Sequence, residues 1–81
     1  MTALSTPDAS WDIPIGVPVV SADGERLGTV TQADIHELLV EDGLFFPKVY
    51  ALNLFDVDRY QDGALILKLT ADETIEQRRV G

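Results

Sequence analysis

The chain contains no cysteine, which excludes disulfide staples, thiolate metal sites and cysteine nucleophiles and is compatible with the expected cytoplasmic setting. Basic residues are scarce: six Lys and Arg stand against fourteen Asp and Glu, giving a formal charge of -8 and a pI near 4.2. A phosphate backbone is repelled by that balance, so direct nucleic-acid binding is not expected. No apolar run approaches the ~20 residues of a spanning helix, and membrane insertion is not expected either. Met1 to Ser10 has neither a basic start nor an apolar stretch and does not read as a signal peptide. Glycine-rich phosphate loops are missing, because Gly24 and Gly28 stand alone, and Ser5, Ser10 and Ser21 lack the G-x-S-x-G setting of a nucleophile.

What is present is apolar material for one core. Hydrophobic residues make up 46% of the 81 positions, with a mean hydropathy of +0.08. Surface scaling for this mass leaves about 4,800 Å² exposed of roughly 12,900 Å² in the unfolded chain, enough for a single thin core. The expected organisation is a loose arm over residues 1–10, small and polar with Pro7, one domain over 11–77, and a tail over 78–81.

Three Asp-Gly pairs punctuate the chain, and each marks a tight turn because glycine accepts positive φ. Asp23-Gly24 separates extended segments at Val17–Ser21 and Arg26–Gln32, a first hairpin. The prolines at 14 and 18 fit a lead-in to an edge or first strand, since each lacks the N–H that a central strand uses. Leu27 and Val30 lie three apart, so a bulge at Gly28 is needed to turn both inward. A strand over about Ala33–Val40 then reaches Asp42-Gly43, with apolar Leu44-Phe45-Phe46 beyond it. After Pro47, Val49, Leu52 and Phe55 recur at threes, which predicts a helical or 3₁₀ crossing before Asp62-Gly63. Ala64–Leu69 reads as a last strand, and Thr70-Ala71-Asp72-Glu73 has the T-x-x-E form of a capping box, predicting a short helix to about Gln77. The pattern is all-β: a small barrel of about five to six short strands with a short crossing and a C-terminal helix.

The order of these features resembles the PRC-barrel family, small β-barrels such as the cytoplasmic part of a photosynthetic reaction-centre subunit and the C-terminal half of a ribosome maturation factor. The residues that carry the likeness are Gly16-Val17-Pro18-Val19-Val20, Asp23-Gly24-Glu25-Arg26-Leu27-Gly28-Thr29-Val30, Leu44-Phe45-Phe46-Pro47 and Ala64–Leu69, within a span from Ile13 to Glu76. Two stretches depart from it: Lys48–Gln61 is longer than the usual connection, and Ala33–Val40 has no acidic-glycine connector. The resemblance implies a PRC-type barrel acting as an interaction module with no shared reaction, and a fold-level likeness of that kind fixes no mechanism.

Catalytic and metal chemistry finds little purchase. Counted as a calcium loop from Asp56, the sequence places Tyr60 at the fifth position, Gln61 where glycine is required and Leu67 where a bidentate glutamate belongs. His36 is the sole histidine and has no partners for a triad or a metal. No enzyme activity, metal or cofactor is expected. The aromatics are more informative. Phe45, Phe46, Tyr50 and Phe55 are the candidate interaction residues, since adjacent Phe45 and Phe46 on a strand face opposite ways and one must reach the surface. The expected function is therefore a non-enzymatic module that forms a homodimer through an apolar strand face. A second reading is an adaptor in RNA metabolism or ribosome maturation that meets a basic protein through an acidic face of Asp34, Glu37, Glu41, Asp42, Asp56, Asp58 and Asp62.

Overall fold

The computed structural model describes residues 13–81 other than 44 and 46; the N-terminal arm, Trp11, Leu44 and the candidate Phe46 lie outside the described residues. Six strands form one sheet: β1 (Pro18–Val20), β2 (Arg26–Ala33), β3 (Glu37–Asp42), β4 (Lys48–Asn53), β5 (Val57–Gln61) and β6 (Ala64–Leu67). A 3₁₀ turn (Leu54–Asp56) joins β4 to β5, and one helix, α1 (Ala71–Arg78), follows β6. The sheet order is β4-β3-β2-β1-β6-β5, antiparallel except for the β1–β6 pair. The protein is thus dominated by β-structure with a single short C-terminal helix, and the sheet does not close.

All three Asp-Gly pairs sit at turns between paired antiparallel strands, with Gly24, Gly43 and Gly63 at positive φ. At the third, Asp62 also takes positive φ, as a two-residue hairpin turn between Gln61 and Ala64 requires. Leu27 and Val30 both point inward. Val20 pairs with Arg26 and Val19 with Gly28, so Leu27 is the extra residue of a bulge that restores the inward phase. Buried side chains from all six strands, together with Val17 just ahead of β1, make one core that includes Val19, Leu38, Val40, Leu52, Val57, Leu65 and Leu67. Each such side chain contributes about 1.5–3 kcal/mol on burial.

Four expectations need correction. β1 is the first strand, one of the two expected alternatives, but it lies centrally between β2 and β6 and not at an edge, which its proline tolerates because Pro18 is the first residue of the strand. The third strand begins at Glu37, after a turn at Asp34–His36 that carries no glycine; the Asp34 carboxylate makes it by accepting the N–H groups of His36 (2.7 Å) and Glu37 (2.8 Å). Lys48–Asn53 is a strand rather than a helical crossing, because burial alternates there, Tyr50 and Leu52 inward, and only Leu54–Asp56 is 3₁₀. Finally, the helix extends through Arg78, and the tail is seated against β4 instead of lying free: Tyr50 pairs with Arg79, and the Val80 N–H donates to the Val49 carbonyl at 2.8 Å.

Gly28 is where the packing is least forgiving. Its φ is +150°, and a Cβ there would lie 2.4 Å from the Glu41 carbonyl oxygen and 2.8 Å from its carbon. Gly81, by contrast, would bring a Cβ no closer than 3.4 Å to Val49. Gly28→Ala is expected to cost about 2–4 kcal/mol and Gly81→Ala less than about 1 kcal/mol, read from denaturant midpoints. Equal midpoints for the two variants would show that the bulge does not set the register.

Candidate protein-contact surface

The four aromatic candidates do not form one patch. Tyr50 is 3% exposed and belongs to the core, because the strand phase that buries Leu52 also turns Tyr50 inward. Phe45 is 84% exposed in the connection between β3 and β4, outside any strand. Phe55 is 85% exposed on the 3₁₀ turn at the other end of β4. The six residues of β4 therefore separate the two exposed phenyl rings by about 17 Å or more.

A different neighbour stands beside Phe55. The β3–β4 ladder runs from Asp42 opposite Lys48 to Glu37 opposite Asn53, and the Leu54 N–H then bonds the His36 carbonyl at 3.1 Å. That bond joins the turn that carries Ile35 to the 3₁₀ turn that carries Phe55. Ile35 is 63% exposed, so two large apolar residues share one corner of the sheet. Both turns are locked by side-chain caps. Asp34 closes the first; in the second the Asn53 side chain accepts the Phe55 N–H (3.0 Å) while Asp56 returns to the Asn53 N–H (3.1 Å), a capping box of N-x-x-D form. Ile35 went unnoticed in the sequence, although the Asp two positions before His36 was the available signal for a tight turn there.

The acidic candidates divide by role. Asp34 spends its carboxylate on its own turn, and the His36 and Glu37 N–H groups hold it below the usual carboxylate range. Asp58 pairs with Arg59 on β5, and Asp62 sits in the positive-φ turn. Glu37 is exposed at the start of β3, with Glu41 and Asp42 at its end, where the Thr31 hydroxyl donates to Glu41 at 3.4 Å. Asp56 is not part of an open face. It is 7% exposed, with its carboxylate clasped by Arg78 Nε (2.8 Å) and Nη2 (3.1 Å), and its carbonyl accepts the Lys68 N–H at 2.8 Å. Burial pushes the Asp56 carboxyl up, but the Arg78 guanidinium and the Asn53 N–H more than offset it and leave the group below its ordinary value. The carboxylate that shapes the Phe55 turn thus also ties down the end of α1.

Among the described residues no three His, Asp or Glu side chains converge as a metal site requires, and no helix is long and apolar enough to cross a membrane. A shallow cleft of about 90 Å³, lined by Gln32, Ala33, Asp34, Glu37 and Leu39, is far below the ~300–1,000 Å³ of a small-molecule pocket.

A depressed native pKa gives Asp56 a stabilising contribution that is complete above the unfolded value near ~4 and is lost as the pH falls through the native value. Asp56→Asn is expected to lose about 1–3 kcal/mol at neutral pH, less than a fully buried pair because Arg78 stays partly exposed. In urea titrations the gap between wild type and variant should shrink as the pH falls through the native value of Asp56, below which both carry a neutral group. A gap independent of pH would assign the loss to packing alone.

Compared with protein-family models, curated proteins and solved structures, the chain gives no significant match.

Proposed function

We propose that this protein is a non-enzymatic, PRC-barrel-like interaction module of the cytoplasm whose contact surface is the Ile35–Phe55 corner, and that its simplest partner is a second copy. The carrying observation is the exposure of two large apolar side chains on adjacent turns that the Asp34 and Asn53–Asp56 caps hold rigid. Order fixed in advance lowers the entropic cost of contact. Support for the barrel type comes from the succession of Asp-Gly hairpins, the β2 bulge and the closing strand with its helix. Covering an exposed phenyl side chain is worth about 1.5–3 kcal/mol. A two-fold contact covers it twice, and that sum lies close to the lower estimates of association cost, so a weak, reversible dimer is the expected form.

In sedimentation equilibrium from about 10 µM to 1 mM, the wild type should show a reversible dimer, and Phe55→Ser should weaken it at least about tenfold without lowering the melting temperature. A wild type that stays monomeric across that range contradicts self-association. The second reading, an adaptor for a basic protein in RNA metabolism, draws on the acidic Asp34 and Glu37 flanking the corner. It requires salt-sensitive binding of a lysine-rich polypeptide by the wild type that Phe55→Ser removes, with no binding of a structured RNA at matched salt.

A further inference from the structure

The three Asp-Gly turns are alike in sequence and unlike in chemistry. In each, the glycine amide nitrogen stands at the spacing from the aspartate carboxyl carbon that closes a five-membered imide ring. What separates them is how the two groups are held. At the first turn both are tied: the Asp23 carboxylate accepts the Ser21 hydroxyl and the Ala71 N–H (3.0 Å), which keep it below the usual carboxylate range. The Gly24 N–H donates to the Ser21 carbonyl at 3.0 Å. At the second turn, Asp42 is the last residue of β3, and its backbone is paired opposite Lys48.

At the third turn neither group is tied. Asp62 and Gly63 are exposed, and Arg59, the one cation of β5, is engaged by Asp58 and Gln61. Among the described residues the Asp62 carboxylate has no hydrogen-bond or ion-pair partner, and the Gly63 N–H donates to none. That N–H is the one a two-residue hairpin turn leaves unused, since the closing bonds run between the flanking residues.

The backbone is also suited to closure. Asp62 is the sole non-glycine residue at positive φ among the described residues, at +55°, and Gly63 follows at +79°. These are the φ values of a type I′ turn. Its type II′ counterpart differs by a flip of the central peptide, which keeps the first φ near about +60° and carries the first ψ to about −120°. Both types close hairpins, so the flip leaves Gln61 and Ala64 paired. Gly63 accepts either sign of φ, and nothing lies within 4 Å of where its Cβ would stand, so the peptide has room to turn. In the flipped turn the tetrahedral geometry at the Asp62 Cα eclipses Cβ with the Gly63 nitrogen, the planar arrangement that the imide ring requires.

We propose that Asp62-Gly63 is a site of backbone isomerisation through a cyclic imide. The Gly63 nitrogen attacks the Asp62 carboxyl carbon, a C–N bond forms, and the carboxyl hydroxyl leaves with the amide proton as water. Water then adds back at either imide carbonyl. Opening at the side-chain carbonyl restores aspartate. Opening at the main-chain carbonyl breaks the original peptide bond and leaves an isoaspartyl link that runs through Cβ and the former carboxyl carbon. That link adds one atom to the backbone of a two-residue turn and disrupts the pairing of Gln61 with Ala64. The site shares no residue with the Ile35–Phe55 corner.

The test is to hold the full chain for several weeks at physiological temperature in mildly acidic buffer, which supplies the proton for the leaving hydroxyl. Peptide mapping with electron-transfer fragmentation then distinguishes isoaspartyl from aspartyl links. Isoaspartate should accumulate at position 62 at least about tenfold faster than at 23 or 42, where hydrogen bonds must break before the ring can close. Absence of isoaspartate at 62, or accumulation at 23 or 42 as fast as at 62, overturns the proposal. Asp62→Asn gives a second reading, because asparagine suits the same turn and forms the same imide with ammonia leaving in place of water. Its amide should be lost faster than the wild type isomerises, with aspartate and isoaspartate as the products. An amide that survives the same incubation contradicts the flip that the proposal needs.

Discussion

The outermost strands of the sheet, β4 and β5, are consecutive in the chain, and only the three residues Leu54–Asp56 lie between them. In a flat sheet of this order they would stand five spacings apart, ~24 Å, whereas the chain from Asn53 to Val57 spans at most ~14 Å. The sheet must therefore curl until its edges approach. Asp56 is the residue that holds them there: its carboxylate faces the Asn53 N–H and the Arg78 guanidinium, and its carbonyl takes the Lys68 N–H at the exit of β6. One residue thus joins the end of β4, the start of β5, the end of β6 and the end of the helix. Asp23 makes a lesser tie of the same kind, accepting the first helical N–H, that of Ala71, at 3.0 Å from a turn 48 positions earlier.

The exposed corner proposed as the contact surface follows from that constraint. Phe55 lies on the three-residue link between β4 and β5, between the Asn53 cap on one side and the Asp56 hub on the other, and it is exposed. Leu54 takes the inward position and packs on the core. The corner next to it is completed by Ile35, whose turn is closed by a single carboxylate. Both residues are exposed on the turns that end these strands.

Much of this was legible in the sequence. The Asp-Gly turns, the bulge that brings Leu27 and Val30 inward, and the Thr70–Glu73 capping box each rest on a local rule that tertiary context did not override. β4 was misread because Val49, Leu52 and Phe55 fall at threes while Tyr50 and Leu52, the residues that set its phase, fall at twos; a six-residue window cannot separate the two periods when both faces hold apolar residues. The same ambiguity put Tyr50 on the surface. Asp56 looked like one acid among seven, and its partner Arg78 lies 22 positions away, so no local pattern announces the pair. The seating of residues 79–81 is equally non-local, since it depends on where the helix delivers them.

The most direct test of the central proposal, that the protein meets partners at the corner formed by the capped turn before β3 and the 3₁₀ turn after β4, is a concentration series of ¹H–¹⁵N correlation spectra. Shifts that move together at residues 34–37 and 53–57, with the β5–β6 turn at 62–63 unmoved, are the predicted result. Movement confined to the loop around Phe45, with Ile35 and Phe55 unaffected, would place the contact elsewhere and contradict the account.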